Sequence, residues 1–152
     1  MPNILIKIPK DTFTPEHRKH LIAKINEAAA TAEQIPNEAS KRFFCWVVIE
    51  EVELGSWTCG GVDMTAHIIP CIAVIYLPAG VLDAASRSSY VELVHAAFKQ
   101  ALPESEKRQL STSVMLHDVV DGTWGANGAI WKLPTFAKAV GFTHLQSLLT
   151  DA

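Results

Sequence analysis

The sequence predicts an α+β fold built from two tandem β-α-β units, which together form a four-stranded mixed sheet with two helices on one face. Three observations lead there. The first half of the chain recurs in the second, each half alternates strand-like and helix-like segments, and the central strands are apolar on both sides.

The repeat rests on four landmarks. Pro2-Asn-Ile-Leu-Ile-Lys-Ile-Pro9 returns as Pro70-Cys-Ile-Ala-Val-Ile-Tyr-Leu-Pro78. Ile22 to Ala29 aligns with Tyr90 to Ala97, and Val52 to Gly61 aligns with Val119 to Gly128 through Trp57 and Trp124. The offsets are 68 for the first proline, 69 for the second, 68 for the alanine pair and 67 for the tryptophan. The chain reads as one domain, residues 1–152, with repeat units at about 2–61 and 70–128 and a tail at about 129–152.

Each unit reads as strand, helix, strand, turn. Residues 3–8 are β-branched and apolar and stop at a proline, as a strand does. Thr14 followed by Pro15 and Glu16 is a helix start, with a side-chain cap, proline in the first turn and an acid near the helix dipole. Leu21, Ile22, Ile25, Ala28 and Ala29 then recur at helical spacing to about residue 33. Residues 43–50 are apolar almost throughout, which suits a strand covered on both faces. In the second unit residues 71–77 form a strand, and Asp83 caps a helix over about 84–101 with Val91, Val94, His95 and Phe98 on one face. Residues 112–120 form the last long strand, with Pro70 as a strand start. The Gly-rich segments Gly55–Gly61 and Gly122–Gly128 read as hairpins, and 134–149 as one more helix interrupted near Gly141.

A strand-helix-strand unit of this length is a crossover with its strands parallel. Both helices then cover one sheet face. On the strand 71–77, however, Ile72, Val74 and Tyr76 are as apolar as Cys71, Ala73, Ile75 and Leu77. The uncovered face therefore predicts an oligomer.

Composition narrows the function. A net charge of -3 without a Lys/Arg-rich run argues against nucleic acid as a partner. No apolar stretch reaches the length of a membrane span, and the first residues lack the pattern of a secretion signal. Cys45, Cys59 and Cys71 are odd in number, form no C-x-x-C pair, and read as buried, reduced thiols of a cytoplasmic protein. The scattered histidines offer no metal site.

Three features remain: a proline directly after the initiator Met, the β-α-β unit, and Glu51-Val-Glu-Leu-Gly-Ser-Trp57-Thr-Cys-Gly60-Gly61, a hairpin with an aromatic residue followed by glycines. Together they resemble the tautomerase superfamily, which includes 4-oxalocrotonate tautomerase, cis-3-chloroacrylic acid dehalogenase, malonate semialdehyde decarboxylase and macrophage migration inhibitory factor. The resemblance spans about residues 2–128, and the chain length is similar to the long, dehalogenase-type members. It implies a homotrimer, no cofactor, and catalysis by Pro2 once Met1 is removed.

The implied chemistry is consistent with the physics of an N-terminal amine. An α-amino group titrates near 7.7–8.0, and an apolar pocket lowers that further by disfavouring the ammonium. Neutral near pH 7, it can take a proton from the carbon next to a carbonyl and return it elsewhere. Pro70 holds the matching place in the second unit, but its nitrogen is an amide and no base. The plainer reading of Pro2 is an ordinary second residue that blocks ladder bonding.

The departures from the family pattern concern cations. Only Lys10 stands where the 4-oxalocrotonate tautomerases carry an arginine after the first strand, and the second family arginine falls on Trp46. Arg42 lies four residues earlier. The segment 77–83 has no cation, which argues against dehalogenase and decarboxylase chemistry. Trp57 stands at the family's active-site phenylalanine or packs in an interface, and Asn127 is a hydrogen-bond donor to substrate or simply a turn residue. The expectation is a cofactor-independent tautomerase or isomerase of a 2-oxo or enol acid, with Pro2 as base and Trp57, Lys10, Arg42, Trp46 and Asn127 as substrate contacts. The competing expectation is an inactive binding or scaffold protein of the same fold.

Overall fold

The computed structural model describes residues 2–150. The fate of Met1 lies outside the described residues. In chain order the elements are β1 (Asn3–Pro9), α1 (Pro15–Glu33), α2 (Ala39–Arg42), β2 (Trp46–Val52), β3 (Ile68–Pro78), α3 (Ala84–Ala101), β4 (Gln109–Val119), β5 (Trp124–Ala126), β6 (Ala129–Trp131) and α4 (Leu133–Val140), followed by a 3-10 segment at Thr143–Leu149. The main sheet runs β2-β1-β3-β4. Within each unit the strands are parallel, β1 with β2 and β3 with β4, while β1 and β3 meet antiparallel at the centre. This is the mixed four-stranded sheet the repeat predicts.

Both helices start as their caps require. The Thr14 hydroxyl accepts the His17 N–H at 3.2 Å, and Asp83 and Ser86 form a reciprocal capping box. One layer of strand side chains, Ile4, Ile6 and Ile8 on β1 with Ile69, Cys71, Ala73, Ile75 and Leu77 on β3, is buried. Helix α1 meets it with Leu21, Ile25, Ala28 and Ala29, and α3 with Tyr90, Val94, Ala97, Phe98 and Ala101. Phe136, Val140 and Phe142 of the tail close one end of this core.

Five expectations need correction. Val91 and His95 do not share the buried face of α3. Val91 is 38% exposed, and His95 points outward to Thr112, because the stripe is centred on Tyr90, Val94 and Ala101. Ile22 is likewise 41% exposed on α1. Residues 43–45 belong to a turn after α2, so β2 begins at Trp46 and only one of its faces is covered. The first Gly-rich segment forms turns with a single bridge, Cys59 to Val62, and leaves Cys59 exposed, whereas the second forms the β5–β6 hairpin. Pro70 sits two residues inside β3, opposite Ser111. The β1 ladder stops at Ile72, so the missing N–H costs no bond there.

The sheet face away from the helices carries Leu5, Val48 and Met115, each more than 40% exposed, with Ile72, Val74 and Tyr76 between them. Among the described residues no helix is long and apolar enough to cross a membrane.

Candidate active site

Side chains alternate along a strand, so Pro2 continues the inward series of Ile4, Ile6 and Ile8, and it is buried. Its carbonyl accepts the Trp46 N–H at 3.0 Å, which ties the start of β1 to the start of β2. Asn3, the next residue, lies between Trp46 and Tyr76 in the ladders, and its Oδ1 is buried without a partner.

Asn3 lines a cavity of about 270 Å³. Phe43, Phe44 and Trp46 wall one side of it, and Trp124, Asn127 and Trp131 of the β5–β6 hairpin wall the other. The hairpin is held by aromatic packing. Phe136 lies edge-on to both Trp124 and Trp131 at 5.3 Å, and Trp131 reaches Phe44 at 6.0 Å. Its turn, Asn127-Gly128, has φ of 51° and 81°, both left-handed, as a two-residue primed hairpin turn requires. That turn carries Asn127 into the cavity lining.

Of the sequence-predicted residues, Pro2, Trp46 and Asn127 therefore gather at one end of the sheet. Trp57 lies elsewhere, beside Lys7, Val52 and Ile72 at a second cavity of about 390 Å³. Lys10 Nζ pairs with both carboxylate oxygens of Glu53 at 3.1 and 3.2 Å, and that carboxylate raises the lysine's pKa. Arg42 Nε donates to the Pro36 carbonyl at 3.1 Å. No lysine or arginine lines the aromatic cavity. Another cavity, of about 600 Å³, is lined by Lys99, Glu106 and Arg108 near the start of β4, at the end of the sheet away from Pro2. Its arginine is occupied by Glu106 and by the Thr65 carbonyl. Among the described residues no group of three or more His, Cys, Asp or Glu side chains is placed to hold a metal ion.

One functional candidate escaped the sequence reading. Glu33, the last residue of α1, is completely buried. Its Oε2 accepts the Tyr90 hydroxyl at 2.7 Å, and its Oε1 has no partner. Burial pushes its pKa up to about 7, against the pull of the Tyr90 hydrogen bond. Burial pushes the nearby Cys45 thiol up to about 12, helped by the charge of Glu33. The signal was present in the sequence: Leu21, Ile25, Ala29 and Glu33 recur every fourth residue, so a carboxyl sits on the apolar stripe.

Residues 2–67 match the family model described as Tautomerase enzyme. No curated protein matches the chain. Among solved structures, the F6 fused 4-OT wild-type asymmetric trimer superposes with a TM-score of 0.66 at 18% identity, covering 84% of this chain and 94% of its own. Pt0534, solved inactivated by 2-oxo-3-pentynoate, gives 0.67 at 18% identity with the same coverage. A probable enzyme from the thermophilic fungus Aspergillus fumigatus gives 0.64 at 21%, covering 86% of this chain and 83% of its own. At these identities the likeness shows a shared fold.

The buried carboxyl makes stability depend on pH. Glu33 titrates near 4.5 when unfolded and near 7 when folded, so the folded state holds a proton that the unfolded chain releases. This contribution is fully present below about pH 4.5 and is lost as pH rises through about 7, a change of about 3 kcal/mol. Urea unfolding of native protein and Glu33→Gln at pH 5 and pH 8 measures it. The native protein should lose more stability between the two pH values than the variant does, and parallel losses would contradict the assignment.

Proposed function

We propose that this chain is a member of the tautomerase superfamily in its long, duplicated form, and that it acts as a cofactor-independent tautomerase that uses the Pro2 amine as general base on a 2-oxo or enol acid. The observation that carries this reading is a buried Pro2 whose chain neighbour, Asn3, lines an aromatic-walled cavity. The reading requires removal of Met1, which converts the Pro2 nitrogen from an amide to a secondary amine.

The chemistry follows from the surroundings. An apolar site disfavours the prolinium ion and keeps the amine available as a base near neutrality. The amine takes the proton from the carbon beside the substrate carbonyl, the C–H electron pair moves into an enolate, and the proton returns at oxygen or at another carbon. The aromatic walls exclude water, which strengthens every remaining polar contact. Asn127 and Asn3 supply amide donors for the oxygen on which negative charge develops. Trp46 forms part of the wall.

The cationic half of the site comes from neighbouring copies. Lys10 and Trp57 lie near the far end of β1, a seven-residue strand and so roughly 20 Å from Pro2. Each reaches a Pro2 cavity only from another subunit, and the exposed apolar sheet face gives the copies a surface to share. A homotrimer, the assembly of the fused 4-OT structures, fits this arrangement. Arg42, beside the aromatic wall, can act on a carboxylate only by leaving the Pro36 carbonyl. The free thiols fit the cytoplasm.

One finding favours the second reading, a binding or scaffold protein that keeps the fold without the reaction: Lys10 and Arg42 are both engaged within their own chain. Rates separate the two. Ketonisation of phenylpyruvate by Pro2→Ala should fall about 100-fold relative to native protein, the scale of a lost general base. Equal rates would favour the scaffold. Light scattering on the native protein should return a mass about three times the 16.6 kDa chain, and a monomer would contradict a site completed by neighbours.

A further inference from the structure

The crossover of the first unit brings four polar or reactive groups to one end of the core. β1 starts at Pro2 and leads away; α1 returns antiparallel to it and ends at Glu33; β2 then starts beside Pro2, whose carbonyl holds the Trp46 N–H. β3 runs against β1 and arrives at the same end, with Tyr76 opposite Asn3, so the first turns of α3, which carry Tyr90, lie there too. Pro2, Glu33 and Tyr90 are all buried, and Pro2 faces the helix layer by strand alternation. Cys45, next to Trp46, feels the charge of Glu33, which places the carboxyl against the start of β2. Within this cluster Glu33 Oε1 is a buried acceptor with no donor among the described residues.

The second unit supplies an internal comparison. Its proline, Pro70, is 68 residues on from Pro2, and the residue 68 on from Glu33 is Ala101, also the buried last residue of its helix. The unit whose proline can become an amine has a carboxyl beneath it. The unit whose proline is always an amide has a methyl group.

From this juxtaposition we infer that Glu33, held by Tyr90, is a positioning residue for the Pro2 amine: Oε1 accepts the amine N–H and balances the charge that forms when Pro2 takes up the substrate proton. The inference rests on the proposed proline chemistry and adds a counter-ion to it. In the forward step the substrate C–H proton moves to the Pro2 nitrogen, the carbon keeps the electron pair as an enolate, and the prolinium N–H donates to Oε1. The same proton then returns to substrate, leaving Glu33 unchanged. A buried amine without such a partner would be too weak a base, because the apolar site that frees it also resists its protonation. Tyr90 from α3 acts on Glu33 through its hydroxyl, and Cys45 lies beside it from the turn before β2; Arg42 acts on that thiol but is not among the groups acting on Glu33.

The test follows the Pro2 amine by nitrogen-15 NMR across pH in native protein, Glu33→Gln and Tyr90→Phe, alongside kcat/KM profiles with phenylpyruvate. Removing the carboxylate should lower the amine pKa by about one unit or more and move the acid limb of kcat/KM to lower pH by the same amount. Tyr90→Phe, which leaves the carboxyl without its donor, should shift both in the same direction by less, and it keeps the test open if Glu33→Gln does not fold. An amine pKa and an acid limb that stay at native values in the folded variants overturn the counter-ion role, even where Pro2→Ala is inactive. Full activity in Pro2→Ala would overturn the proline reading itself.

Discussion

The parallel pairing of β1 with β2 constrains everything else in this molecule. Two adjacent parallel strands cannot be joined by a tight turn, so α1 must run the length of the sheet and deliver its last residue to the end where β1 began. The same rule applied to β3, α3 and β4 fills the remaining half of the layer. The antiparallel join between β1 and β3 then sends the two units in opposite directions. Pro2 and its duplicate Pro70 thus lie toward opposite ends of one core, and only the first can expose an amine.

This geometry separates the cavity's components by origin. The aromatic walls come from α2–β2 and from the β5–β6 hairpin, and they are fixed within one chain by Phe136 beneath both hairpin tryptophans. The cations do not share that origin. Lys10–Glu53, Lys7–Glu50 and Arg18–Glu51 are largely surface pairs, which contribute little, so a lysine or arginine held this way is cheaply released to a bound carboxylate. The buried Glu33 differs. It cannot exchange its partner for water, and its unpaired oxygen is a standing cost that a donor from the chain start would relieve.

Much of the fold was legible because it depends on local, periodic signals. Thr14 and Asp83 announced their helices by capping chemistry, and the paired prolines and tryptophans announced the duplication. What failed was finer. The strand 43–50 was misread because Phe43 and Phe44 are apolar for the sake of a cavity wall rather than a sheet. On α3 Val94 and Phe98 lie on the buried stripe as expected, whereas Tyr90 takes the place expected of Val91, its hydroxyl bonded to Glu33. Trp46 and Asn127 meet at one cavity, with Asn3 rather than Pro2 in its lining, and no spacing rule links residues 3, 46 and 127. Lys10 and Trp57 lie outside that cavity, near the far end of β1. Glu33 was visible as a carboxyl on an apolar stripe, and only the three-dimensional end-matching of β1, α1 and β2 gives it meaning.

The central claim is that the mature chain presents a secondary amine at its buried first strand. Intact-mass measurement of the untagged protein, purified from cells with its methionine aminopeptidase intact, tests this most directly. The account predicts a chain that begins at Pro2. A chain that retains methionine would leave the Pro2 nitrogen an amide, with no base beside the aromatic cavity and no amine for Glu33 to hold.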